Sequence, residues 1–179
     1  MSVTVKRTNF KVRHHFDETT RRHYFNNVCT VFHCHHFTSL YTQLADDCSF
    51  FDAKELMKEV AEDTFAPILK EYFETNGIVT FRDRVSVIEQ YYAFLGLGEL
   101  KILCAGIDSG EAELLHSHVE EGWKKKWGLF NKPINFISCG FLAAAFSALF
   151  SRPTRSYFAN ETASIVMGAS TTKLTICAK

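Results

Sequence analysis

The residues with the most chemical potential in this chain are histidines. His33-Cys34-His35-His36 puts three imidazoles in one short run, and His116-Ser117-His118 adds a second pair. Imidazole ligates metals, moves protons near neutral pH and orients polar groups of a ligand. Each helical step turns about 100°, so three consecutive positions cannot converge on one ion. At most His33 and His36 share a ligand. His36 falls between Phe32 and Leu40 and is expected to point into an apolar face. It would serve there as a core histidine bonded to a carbonyl, or as the polar group that orients a ligand among apolar walls. If His116 ends a strand and His118 starts a helix, they would meet His33 and His36. Glu113 or Glu161 would then complete a mononuclear site for iron, haem or zinc.

Carboxyls and thiols offer less. Glu161 is expected to cap a turn or pair with Arg155 or Arg152, since catalysis would require burial and a partner. Cys29, Cys34, Cys48, Cys104, Cys139 and Cys177 are scattered without a C-x-x-C pair. Neither a zinc knuckle nor a disulfide framework is indicated, and most are expected to be small buried hydrophobes, with Cys34 and Cys139 inert. Gly96-x-Gly98 falls one glycine short of a dinucleotide fingerprint, and G-x-S-x-G and H-E-x-x-H are absent. A binding module is favoured over an enzyme, with catalysis left open.

The elements that must position these residues follow from periodicity. Phe25, Val28, Cys29, Phe32, His36 and Leu40 recur at three- and four-residue steps, which predicts a helix from about Thr20 to Asp47. Asp52 and Glu55 form a capping-box-like start to a second helix, which Asn76-Gly77 stops and Pro67 is expected to kink or break near Phe65. A third helix covers Phe81 to Leu95. Two strands, Glu99 to Ala105 and Glu111 to His116, flank an Asp108-Ser109-Gly110 turn. A polar helix runs from His118 to Trp127. Asn135 to Phe150 reads as a central apolar helix whose Gly140, Ala143, Ala144, Ala145 and Ala148 admit a neighbouring backbone. Arg155 to Asn160, Leu174 to Cys177 and Ser164 to Met167 read as strands. The order predicts an α+β fold, an antiparallel sheet covered by helices.

Bulk properties bound the function. The 179 residues suit one domain, with an N-terminal helical part at about 18–97 and an α/β part at about 98–179. Lys plus Arg and Asp plus Glu both number 20, which favours neither nucleic acid nor an anionic membrane. No apolar run reaches the length of about 18 residues needed to span a bilayer. The first 13 residues are polar and basic, unlike a signal peptide, so a cytoplasmic protein is expected. Phe is frequent, at 17 residues, so the core should be thick with rings and either solid or hollow.

Residues 96–179 carry an ordered set of motifs. Gly96-Leu97-Gly98-Glu99 opens the strand pair, and His116 to Trp127 supplies a helix. Gly140-Phe141-Leu142-Ala143-Ala144 supplies a small-residue helix. Glu161-Thr162-Ala163-Ser164-Ile165-Val166-Met167-Gly168, followed by Ala169 to Thr172, closes the set. In order and spacing this resembles the 4-vinyl-reductase family, whose closing segment has the form E-x-x-C-x-x-x-G-x-x-x-C. That domain also occurs in aromatic-responsive bacterial regulators and is related in fold to vesicle-tethering subunits. The resemblance implies a small-molecule-binding domain, and in the regulators the motif cysteines help hold a structural zinc. Here Ser164 and Thr172 stand at those positions and Asn135 where a further cysteine would lie. Neutral hydroxyls and an amide are poor zinc ligands beside thiolate. The family zinc is therefore not expected, and packing must replace it.

The leading expectation is a sensor- or carrier-type module. It would bind a hydrophobic or aromatic molecule in an internal pocket lined by Phe32, His36, Leu40, Phe136, Phe141, Phe146 and Met167, acting through a homodimer or a partner protein. The rival is a protein with iron, haem or zinc on His33, His36, His116, His118 and Glu161. A third possibility is a structural subunit with a filled core.

Overall fold

A computed structural model describes residues 8–179. The expected α+β class holds: an antiparallel sheet packs against helices. Its first elements differ from the sequence reading. Residues 20–47 are not one helix. They hold β2 (Arg22–Phe25) and β3 (Val28–Thr30), which with β1 (His14–Asp17) make a three-stranded sheet, and only then α1 (His35–Asp47). The cause is local. Asn26 and Asn27 have φ of 49° and 69°, and Phe25 pairs directly with Val28 across them. A two-residue loop with both residues left-handed suits a twisted hairpin, and asparagine tolerates that conformation. The three-four spacing of Phe25, Val28, Cys29 and Phe32 was coincidental.

α2 (Ala53–Thr75) begins as its cap predicts, with the Asp52 side chain accepting the Glu55 amide at 3.0 Å. It ends in a Schellman arrangement. Ile78 N donates to Phe73 O at 2.8 Å and Gly77 N to Glu74 O at 3.2 Å, with Gly77 left-handed at φ 61°. Pro67 does not break it. Pro67 and Asp63 are both exposed, so the Asp63 carbonyl deprived of its donor faces water, where the loss is mild. α3 (Phe81–Phe94) follows, capped by Thr80.

β4 (Gly98–Ala105) and β5 (Ser109–Ser117) form the expected hairpin, but Gly110 lies within β5 and not in its turn. A β-carbon there would come within 2.3 Å of the Phe146 ring. After α4 (His118–Trp127) comes α5 (Phe136–Leu149), buried on nearly every side and central. Its small residues act as expected, since a β-carbon on Gly140 would meet the Lys58 carbonyl of α2 at 2.1 Å. β6 (Tyr157–Ala163) and β7 (Thr172–Ala178) complete the larger sheet in the order β4-β5-β7-β6. Residues 165–167, expected as a strand, form one 3-10 turn. One face of this sheet, through Ala112, Leu114, Tyr157, Ala159, Leu174 and Ile176, packs with α2, α3 and α5 into the main core.

Candidate functional site

α1 is built inside out. Its buried residues are Thr38, Ser39, Thr42 and Ala45, and the helix packs on α4 where Gly122 leaves room for His35 and Ser39. Phe37, Leu40, Tyr41 and Leu44, the apolar stripe at three- and four-residue steps, remain in solvent at 42–57% exposure. Between the end of this stripe and the start of α2 opens an apolar cleft of about 600 Å3. Tyr41, Leu44 and Cys48 form one wall, Leu56 and Met57 the other, and Phe50 and Phe51 from the connecting loop stand at the rim. Ala45 and Ala53 also line it and belong, with Phe136, to a small buried core of their own. Asp47 is the only charged residue in the lining. A volume of this size, with few polar groups, suits a small organic ligand.

The second feature is a buried polar network joining α3, α4, α5, β6 and β7. Glu120, fully buried, accepts the Ser164 hydroxyl at 2.5 Å, the Val166 amide at 3.2 Å and the Thr172 hydroxyl. Thr172 Oγ1 also accepts the Ile165 amide at 3.1 Å. Ser117 accepts the Glu120 amide at 3.3 Å and donates to Asn135 Oδ1 at 2.8 Å. Asn135 donates through its backbone and side-chain nitrogens to the two Glu161 oxygens at 2.9 and 2.7 Å. Tyr92 and Ser138 share a 2.8 Å bond alongside. Burial pushes the Glu161 carboxyl up to about 7, and the Glu120 charge adds to the shift while hydrogen bonds from Asn135 oppose it.

Asn135, Ser164 and Thr172, which the resemblance put at zinc-ligand positions, thus do share one locality. The donor set does not fit a zinc ion. Two neutral hydroxyls and an amide, already bonded to Glu120 and Glu161, offer no thiolate or free lone pair comparable to the usual ligands. Glu161 binds Asn135, not the expected arginines. Arg155 pairs instead with Glu62 at 3.0 Å and Asp63 at 2.9 Å on α2. Glu120 escaped the sequence reading. Ser117-x-x-Glu120 has the form of a capping box, and the glutamate sits between Val119 and Trp123 on the buried side of α4. A carboxyl on an apolar helical face was the available signal.

The histidines do not assemble as expected. His33 and His36 are exposed, so His36 faces water and not an apolar interior. A helix that buries its hydroxyls turns position 36 outward together with Leu40. His118 does approach the first cluster, but its partner is half-buried His35, with ring centroids 6.2 Å apart. Partial desolvation, then the charges of His36, Lys125 and His118, lower the His35 pKa. His116 pairs at the surface with Glu121 at 3.0 Å. Among the described residues no three His, Cys, Asp or Glu side chains are placed to hold a metal ion, and Glu161 lies apart in the buried network.

The seven residues expected to line an internal pocket also separate. Phe141 and Phe146 are fully buried in the main core, edge-on to Phe65 and Tyr92 and to Tyr157 respectively. Phe136 packs with Ala45 and Ala53 in a small core of its own and does not line the α1–α2 cleft. Phe32 and Met167 are 71% and 51% exposed, and Phe32 stacks edge-on against Phe25 of the small sheet. Of the cysteines only Cys139 is buried, which pushes its thiol up to about 12, while Cys29, Cys34 and Cys104 are exposed. Sequence periodicity did not reveal this because exposed strand and loop positions carry these thiols.

No protein-family model and no curated protein sequence matches the chain. Solved structures do. The phenol-responsive sensory domain of the transcription activator PoxR, crystallised with phenol, superposes with a TM-score of 0.73 at 14% identity, covering 93% of this chain and 85% of that one. A trafficking protein particle complex subunit 3 from Naegleria fowleri, covalently bound to palmitic acid, gives 0.53 at 12% identity, covering 81% and 94%. At these identities the likeness is one of fold alone, shared with the PoxR sensory domain.

Proposed function

We propose that this chain is a binding module for a hydrophobic or aromatic small molecule, of sensor or carrier type and without catalysis of its own. The observation that carries the reading is the apolar cleft of about 600 Å3 between α1 and α2, walled by Tyr41, Leu44, Leu56 and Met57. The core at Phe141 and Phe146 is filled, so the ligand's seat is this cleft and not the centre of the fold. Two fold neighbours, one with phenol and one with palmitic acid, support an apolar ligand, as does the resemblance of residues 96–179 to the 4-vinyl-reductase family. Desolvation of apolar surface supplies the affinity, at about 25 cal/mol per Å2 before the costs of ordering the ligand.

Titration with anilinonaphthalene sulfonate, phenol and palmitate by fluorescence and calorimetry tests this. At least one of the three should bind, and Leu56→Asp should weaken it by about tenfold or more, since a carboxylate in the wall must be desolvated. Leu56 is exposed, so the variant should fold normally. Absence of binding by all three probes, or binding indifferent to Leu56→Asp, would overturn the reading.

A further inference from the structure

The small sheet carries a histidine pair that neither the cleft nor the buried network uses. Across β1 and β2, His14 pairs with Phe25 and Phe16 with His23, so all four rings share one face of the hairpin. The two imidazoles lie on the diagonal of that square, and His14 Nε2 stands 2.9 Å from His23 Nδ1. His14 stacks on Phe25 at 4.6 Å between centroids, and His23 leans on Phe16 at 4.7 Å. Phe32 closes edge-on against His23 and Phe25, and Phe25 is anchored on Phe94 of α3 at 5.3 Å. Aromatic neighbours therefore hold both rings with their nitrogens face to face. His14 is exposed and His23 half-buried, so solvent reaches the pair. Strand alternation sends Arg13, His15 and Arg22 to the other face, so neither arginine shares the face of the pair.

We propose that His14 and His23 chelate a divalent transition-metal ion that takes its ligands at right angles, Ni2+ or Cu2+. Neutral imidazole suits both ions. A neutral ring carries its proton on either nitrogen, so a tautomer shift turns both facing nitrogens into lone-pair donors without net loss of a proton. Spacing selects the ion. Two nitrogens bonded at about 2.05 Å stand roughly 2.9 Å apart at a right angle and roughly 3.3 Å apart at the tetrahedral angle of a zinc site. The observed 2.9 Å fits the first. Among the described residues no third His, Cys, Asp or Glu joins the pair, so water fills the remaining positions and the site stays open. A bound ion ties β1 to β2 in place of one hydrogen bond. The site shares no residue with the α1–α2 cleft, so it stands or falls apart from the small-molecule reading.

Calorimetric titration of the full chain, free of any added histidine tag, with Ni2+ and with Zn2+ at about pH 7.5 tests this, since imidazoles are largely neutral there. Thiols also take these ions, so the variants decide. One equivalent of Ni2+ should bind, about tenfold or more weakly in His14→Gln and in His23→Gln, and unchanged in His36→Gln of the other cluster. The component sensitive to the first two variants should be tighter for Ni2+ than for Zn2+. Paramagnetic Ni2+ should also broaden the ring-proton resonances of His14 and His23 before those of His33, His36 and His116. His14 is exposed, so its variant should fold normally even if His23→Gln does not, and the broadening needs no variant. No Ni2+ binding, binding indifferent to His14→Gln, or equal loss in His36→Gln each overturns the proposal. A variant-sensitive component tighter for Zn2+, or broadening that begins at His33, His36 or His116, does the same.

Discussion

Three uncharged side chains, Asn135, Ser164 and Thr172, meet two carboxyls where the resembled regulators are implied to hold a metal. Burial shifts the titration of the Glu161 carboxyl. Burial raises it to about 7 from an ordinary value near 4.5, so the folded chain holds a proton that the unfolded chain releases between those two values. Stability from this group is therefore greatest below about pH 4.5 and is lost as pH rises through about 7, on the order of 3 kcal/mol across the window. Urea melts at several pH values should show this fall in wild type and a flatter profile in Glu161→Gln, even if the variant is less stable throughout. An unchanged slope would mean that other groups set the pH dependence. Sequence reading placed Glu161 in a motif but could not assign its partner, because hydrogen bonds to Asn135 span 26 residues and depend on how α5 meets β6.

At the scale of elements, the contact between α2 and α5 sets the spacing of the core. Gly140 leaves no room for a side chain, with the Lys58 carbonyl at 2.1 Å from a notional β-carbon and Ala61 at 2.7 Å. Gly140→Ala should cost about 2–3 kcal/mol by overpacking, more than the roughly 1 kcal/mol that alanine gains in helix propensity. Gly77→Ala should cost only about 1 kcal/mol, because the left-handed conformation is strained while the space around it is open. Thermal melts of both variants give the order directly, and a smaller loss in Gly140→Ala would show that the two helices can separate freely. The close approach was readable from the small residues of α5. The identity of the approaching backbone was not, since many helices could have filled that role.

For the molecule as a whole, Glu120 joins α4 to the 3-10 turn and β7 through three hydrogen bonds, the task that packing was expected to take over from a metal. Prolonged treatment with a chelator should leave the melting temperature unchanged, whereas Glu120→Ala should lower stability by about 3–4 kcal/mol by orphaning three buried groups. A large chelator effect would refute this assignment.

Sequence by itself determined the α+β class, the ends of α2 and α3, the β4–β5 pair and the central place of α5. Those follow from capping residues, chain-local turns and a helix too apolar to lie anywhere but inside. The stripe it read through Phe25, Val28, Cys29, Phe32, His36 and Leu40 does not exist as one face, and the stripe on α1 is Phe37, Leu40, Tyr41 and Leu44. Tertiary structure alone decided which way that stripe faces. Periodicity records that large apolar side chains share one side of a helix, but burial depends on what the opposite side can fit against. Here Ser39 fits against Gly122 on α4 and Thr42 is buried on the same side, so the oily side was left outward, with His36 in water and a surface cleft in place of the internal pocket that had been expected.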